Sequence, residues 1–283
     1  MLFWSFLKSI PLPILKVLAS IGSKLHYTFD KRHVRECEEM VSLVNSNWDS
    51  RKVVKGMYSS LWKLLPEIVW SHTATESMLR EKIDGIDELK QYYKEHLDGK
   101  AVIFVSAHLG PWEITSTTVS TFLTPVLSVY KPSKIKILTD LMIAMRTHKN
   151  QTVVDKEGSM LTLFKHLKRK GAIGLVIDQH GGEDGVDSEF LNKKCKSWDS
   201  TVLLADRCQC PVIPVATIRL KNKYQLLWEK AIFPEYDEQK KLLIHETTLK
   251  IDRALSSFVE KAPEQWLWLG RRWGRNFKDL INQ

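Results

Sequence analysis

The sequence predicts an α/β protein: a mixed, mostly parallel sheet flanked by helices on both faces, with an N-terminal membrane-anchoring helix and a helical region ahead of it. Three observations carry this. From about residue 99 onward, short apolar runs alternate with amphipathic stretches, the pattern of strands joined by helices. The runs are continuous, as over 101–107, which marks strands buried on both faces. Before residue 99 the periodicity is helical, and residues 1–29 are rich in apolar and aromatic groups. The expected organisation is an anchor over 1–29 and one domain over 30–283, divided into a helical lead-in (30–98) and an α/β core (99–283).

In the first segment Trp4, Phe6, Leu7, Ile10, Leu12, Ile14, Leu15, Val17 and Leu18 are interrupted by Lys8, Pro11, Pro13 and Lys16. A spanning helix needs roughly 20 mostly apolar residues, and two lysines fall inside that window. Long lysine stems can carry their ammonium groups to the headgroups. An interfacial or shallow anchor is therefore favoured over a span, and no small-residue cleavage site follows it. Lys24, Lys31, Arg32 and Arg35 suit an anionic leaflet.

Over about 31–97, Val53, Val54, Met57, Leu61, Leu64 and Leu65 recur at helical spacing, with Asp49 placed as an N-cap. Strands are then expected at 101–107, 126–130, 151–154, 172–177 and 212–218. The intervening helices are expected at about 134–147, at 158–170 closed by Gly171, and from an Asp199 cap to Cys208. Functional loops in such sheets gather at the carboxyl ends of the strands. His108, Lys131 and Asp178 each follow a predicted strand there.

The apolar fraction of 43% and charged fraction of 27% exclude a disordered or low-complexity chain, and no repeat period is visible. The net charge of +9 predicts an anionic partner without choosing among nucleic acid, membrane and acidic protein. Cys37, Cys195, Cys208 and Cys210 have neither metal-knuckle nor disulfide-framework spacing, so reduced structural thiols in a reducing setting are expected.

The chemistry concentrates in His108-Leu109-Gly110-Pro111-Trp112-Glu113. Gly110 permits a tight strand-to-helix turn, Pro111 suits the first helical position, and Glu113 falls in the first turn. There the helix dipole favours its carboxylate, which can fold back towards His108. A carboxylate on one imidazole nitrogen fixes the tautomer and raises the basicity of the other. The same spacing also describes a satisfied pair at a helix start. No Ser or Cys stands at a nucleophile elbow, so the pair reads as a base for a substrate hydroxyl, in transfer rather than hydrolysis. A third metal ligand is not visible, and no metal is expected.

The His108 to Glu113 segment resembles the H-x4-D/E block of the glycerolipid and lysophospholipid acyltransferases, specifically the H-x-G-N-W-E form of the lipid A biosynthesis acyltransferases. The similarity continues in order. Val129-Tyr130-Lys131-Pro132 looks like their V-Y-R-P segment, Arg146 matches the arginine ending the next helix, and Ile177-Asp178-Gln179 resembles the D-Q block. Pro211-Val212-Ile213-Pro214 resembles P-V-x-P, and the stretch from Ala262 to Trp273 resembles A-P-E-Q-W-x-W-x-H-R-R-W. The blocks cover about residues 100–273.

This resemblance implies transfer of a lauroyl- or myristoyl-type chain from the phosphopantetheine of acyl carrier protein to a lipid A precursor. The implied place is the cytoplasmic face of the inner membrane, with an N-terminal anchor and no further cofactor. It implies His108 as general base and Glu113 as its orienting partner. Arg146 and Asp178 are implied to position substrate or to organise the base, and Lys131, Arg271 and Arg272 to bind substrate. The basic surface would meet the acidic carrier protein and an anionic, phosphorylated lipid acceptor. Arg271, Arg272 and Arg275 beside Trp266, Trp268 and Trp273 would also suit nucleic acid, but the anchor favours lipid headgroups, and no nucleic acid is expected. The sequence departs from the family pattern at Pro111 for Asn, Lys131 for Arg, Gly270 for His, and Phe190-Leu191-Asn192 for F-F-G. A lysine loses the bidentate contact of an arginine. Alternatives are a phospholipid-pathway acyltransferase with a glycerol-phosphate or lysophospholipid acceptor, and a non-catalytic membrane-associated lipid-binding protein.

Overall fold

The computed structural model describes residues 2–274, with side chains from Trp4 onward. The first segment forms two helices, α1 (Leu2–Ser9) and α2 (Leu12–Phe29), separated where Pro11 removes a backbone donor. Among the described residues no helix is long and apolar enough to cross a membrane. The expected single anchoring helix is thus replaced by a broken pair. One side of α2 buries Leu15, Ala19 and Ser23, while Ile14, Val17, Leu18, Ile21, Leu25 and Phe29 are exposed on the other.

The helical lead-in continues with α3 (Lys31–Val44), α4 (Ser50–Thr73), α5 (Glu76–Lys82) and α6 (Ile86–His96), with a two-residue strand β1 (Ile83–Asp84) between the last two. Asp49 caps α4 as expected, its carboxylate accepting from the Lys52 amide at 2.9 Å. The core then follows as β2 (Val102–Ser106), α7 (Trp112–Phe122), β3 (Val126–Tyr130), α8 (Lys136–Arg146), β4 (Gln151–Asp155), α9 (Ser159–Lys168) and β5 (Ala172–Val176). It continues with a hairpin β6 (Val186–Phe190) and β7 (Lys193–Ser197), then α10 (Ser200–Cys208), β8 (Val212–Arg219), β9 (Tyr224–Trp228) and α11 (Ile244–Lys261), followed by short 3₁₀ turns at Pro263–Gln265 and Trp268–Gly270. Asp199 precedes α10 without donating or accepting a side-chain cap bond. The left-handed residue that closes α9 is Lys170, with φ 61°, not Gly171.

The main sheet runs β1-β9-β8-β2-β5-β3-β4. The five strands from β8 to β4 are mutually parallel, while β9 turns antiparallel on β8 and carries β1 parallel to itself. Because successive side chains of a strand point to opposite faces, β2 feeds two cores. Ile103 and Val105 meet Met57, Leu255 and Phe258 on one side, and Val102 and Phe104 meet Leu89, Tyr93 and Ile114 on the other. Helices therefore cover both faces, which is why the central strands are apolar throughout.

Candidate active site

Parallel pairing dictates the site. Ser106 on β2 is in register with Val176 on β5, so the residues two positions beyond, His108 and Asp178, leave the sheet side by side. The His108 Nδ1 lies 2.7 Å from Asp178 Oδ1, and the His108 backbone amide donates to Oδ2 at 2.8 Å. The Trp266 indole Nε1 donates to the same Oδ2 at 2.7 Å. Asp178 is buried and receives three donors, so its charged form is well solvated by protein groups. Burial alone would raise its pKa, but His108, the indole and the backbone amide outweigh burial and hold it below the usual carboxylate value. Burial alone would lower the pKa of His108; the adjacent Asp178 charge, its hydrogen bond and the charge of Glu113 reverse this and raise it. With Asp178 ionised, Nδ1 carries the proton and Nε2 is the basic nitrogen. Among the described residues nothing hydrogen-bonds Nε2, and the side chain is 22% exposed.

Glu113 does not orient the imidazole by hydrogen bonding, as the sequence led us to expect. It stands in the first turn of α7, but its carboxylate is taken by Arg146 from the end of α8, with Nε at 3.1 and 3.0 Å from its two oxygens and Nη2 at 2.5 Å from Oε1. The Trp112 indole donates to the same Oε1 at 3.2 Å. The physical reason is competition. A fixed guanidinium fork matches a carboxylate bidentately, whereas the aspartate delivered by the neighbouring parallel strand already occupies Nδ1. Glu113 acts on His108 through its charge.

The strand-to-helix turn between His108 and Glu113 is pinned by the segment after α11. Leu109 and Trp266 form an antiparallel bridge. The Leu267 amide donates to the His108 carbonyl at 3.0 Å, and the Gly110 amide donates to the Gln265 carbonyl at 3.0 Å. Gly110 has φ 57°, and a Cβ there would sit 2.1 Å from the Thr217 carbonyl oxygen, so the position admits glycine on two counts. Pro111 precedes the helix as its N-cap rather than opening it. The Gln265 side chain exchanges hydrogen bonds with the Arg219 backbone at 2.8 and 3.0 Å. Arg219 in turn holds Glu67 of α4 through Nε at 2.6 Å and Nη2 at 2.7 Å.

The remaining expected residues divide. Lys131 is exposed on the rim, one residue past β3. Arg271 is exposed with φ 52°. Arg272 is fully buried and pairs with Asp252 at 2.8 Å. It also donates to the Gln179 carbonyl at 3.0 Å and the Ser197 hydroxyl at 2.6 Å. In place of the expected open cation, Arg272 is an internal strut beneath the Asp178 loop. Arg275 lies outside the described residues. Sequence reading missed Trp266 as a member of the site, since only the fold brings its indole to Asp178. Among the described residues no group of three or more His, Cys, Asp or Glu is arranged to hold a metal ion.

A parallel α/β sheet thus carries a carboxylate-backed histidine at its strand ends, an arrangement that can hold a proton acceptor. The sequence profile of the bacterial lipid A biosynthesis acyltransferases matches residues 1–275. The lipid A biosynthesis palmitoleoyltransferase of Escherichia coli (strain K12) is 20% identical over 274 residues, covering 93% of this chain and 86% of that relative. The lipid A biosynthesis acyltransferase of Shigella flexneri is similar to the same extent, 20% over 274 residues. The chain belongs to the bacterial lipid A biosynthesis acyltransferase family. It is an acyl-transferring enzyme of lipid A biosynthesis.

Proposed function

We propose that the protein moves a fatty acyl chain from acyl carrier protein to a hydroxyl of a lipid A precursor, with His108 as general base and no acyl-enzyme. The observation that carries this is the free Nε2 of an imidazole whose other nitrogen is tied to Asp178 at 2.7 Å. The acceptor hydroxyl gives its proton to Nε2 as its oxygen attacks the thioester carbonyl. The carbonyl–sulfur bond then breaks, and the imidazolium proton passes to the departing phosphopantetheine sulfur. Proton transfer of this kind contributes about 10²–10⁴-fold. Glu113 keeps Arg146 in place and adds negative charge near His108. Arg146, paired with Glu113 and 23% exposed, would add positive charge beside the reacting carbonyl, and Lys131 and Arg271 would be the rim cations for a phosphorylated headgroup.

Membrane attachment belongs to the same reading, at the cytoplasmic face of the inner membrane. Its support is the exposed stripe of α2, where Ile14, Val17, Leu18, Ile21 and Leu25 lie on one side with Lys16 and Lys24 exposed beside them. An amphipathic helix of that kind lies in the interface plane.

The test is purified protein with acyl carrier protein donors and three acceptors: a lipid A precursor, glycerol phosphate and a lysophospholipid, read by mass spectrometry of the lipid product. Acylation of the lipid A precursor alone, lost in His108→Ala, is expected. Acylation only of a glycerol-based acceptor would replace the substrate, and full activity of His108→Ala would remove the mechanism.

A further inference from the structure

The segment after α11 does more than pack. Trp266 is 1% exposed and sits among Phe190, Trp268 and Trp273, with ring centroids 5.3, 4.8 and 5.8 Å away. For packing alone, a phenyl ring would serve in such a cluster. The indole instead aims its one polar atom out of the apolar cluster at Asp178 Oδ2, 2.7 Å away. Trp268, equally buried in the same cluster, spends its indole N–H on the Pro263 carbonyl at 2.8 Å. Two indoles of equal burial therefore do different things.

We propose that Trp266 is a positioning residue of the reaction, acting through Asp178: its indole N–H fixes the rotation of the Asp178 carboxylate and draws off part of its charge, so setting the orientation and basicity of His108. Oδ2 takes the indole and the His108 amide, which among the described residues leaves Oδ1 to Nδ1. Without the indole donor, more of the carboxylate charge falls on the imidazole, which becomes more basic, and the carboxylate keeps only the His108 amide on Oδ2, so the imidazole is less firmly aimed. The charged groups that face His108 are Asp178 beyond β5, Glu113 on α7 and Arg146 on α8. The last two hold one another, so Asp178 is the one whose change reaches the imidazole directly. This inference rests on reading His108 as the base.

The experiment compares Trp266→Phe with Trp268→Phe in acyl transfer measured against pH. Each variant removes an indole from the same cluster, so losses of packing are matched. In Trp266→Phe we expect kcat to fall about tenfold at unchanged KM, the equivalent of one hydrogen bond to a charged group, with the acid limb of kcat/KM moving up by about half a unit or more. In Trp268→Phe the limb should stay where it is. An unmoved limb in a folded Trp266→Phe protein would make Trp266 a packing residue and overturn the proposal. A second measurement needs no substrate and leaves Trp266 in place. In the wild-type chain labelled with ¹⁵N-tryptophan, one indole signal should titrate with the C–H signals of His108 and lose that titration in His108→Ala. If no indole follows His108, the proposal is wrong. If the indole follows His108 while no lipid is acylated, the tie stands and the acyl-transfer reading fails instead.

Discussion

At the residue scale His108 is hydrogen-bonded to Asp178 and not to Glu113, and the proposed base would rest on the former. Replacing Asp178 by Asn keeps the shape but offers an amide where a charge stabilised the imidazolium, so acyl transfer should fall by about 10²–10⁴-fold at little change in KM. The sign of the pH dependence follows from the raised pKa of His108. The base is lost when it is protonated, so kcat/KM should fall as pH drops through a value above about 6.5, the ordinary imidazole value. A pH–rate profile with its acid limb below that value would contradict the geometry. Gly110→Ala forces a Cβ to 2.1 Å from the Thr217 carbonyl oxygen at φ 57° and should cost about 1–3 kcal/mol in denaturant unfolding. Its activity should fall further than its stability, because the turn carries His108.

At the element scale, α8 is the piece whose placement matters most. It buries no residue fully, yet its last residue holds Glu113. It is seated by apolar contacts of Leu141, Ala144 and Met145 with α1 and α4, and by the His72 ring on the Met145 carbonyl at 2.6 Å. His72 stacks on His148 with centroids 3.7 Å apart and planes at 7°. Burial lowers both pKa values, that of His148 to about 4, with His72, Lys8 and Lys149 adding to the effect. The unfolded chain titrates near 6.5, so between about pH 6.5 and 4 the unfolded state binds more protons and stability is lost as pH falls. Denaturant midpoints should therefore drop across that window in the wild type and drop less in His148→Phe.

The parallel strands and their helices were legible in sequence to within a residue or two because a strand buried on both faces is a continuous apolar run. The hairpin β6–β7 was not, since Asp187, Glu189, Lys194 and Lys196 are polar, and what it buries includes Ser188 and Ser197. Of the site, the His108 block was legible as a strand-to-helix turn. The partner of His108 was not, because it is set by strand register between β2 and β5, and local spacing pointed to the nearer carboxylate.

At the scale of the whole molecule, a basic, apolar-faced α2 and a rim of exposed cations fit a protein that works on an anionic lipid at a surface. Leu18→Glu combined with Ile21→Glu should weaken binding to vesicles containing phosphatidylglycerol by at least about tenfold, read by co-sedimentation, because each side chain contributes roughly 1.5–3 kcal/mol when buried in lipid. The circular dichroism spectrum should be unchanged, since neither residue is packed. Cys37 and Cys210, whose burial pushes their thiols up to about 12, should resist alkylation in the folded state.

The bond between the Trp266 indole and Asp178 joins positions 88 apart, and the Ser60 hydroxyl reaches the Gln265 carbonyl across 205. Contacts so distant along the chain close late, after the loop-closure entropy of everything between them has been met. Register between β2 and β5 by itself brings His108 to Asp178, but the third donor to that carboxylate comes from a segment close to the end of the described residues. Whatever that donor adds to the site therefore depends on a contact made across most of the core, and a destabilising change far from His108, at the docking of this segment, is expected to weaken activity before it unfolds the sheet.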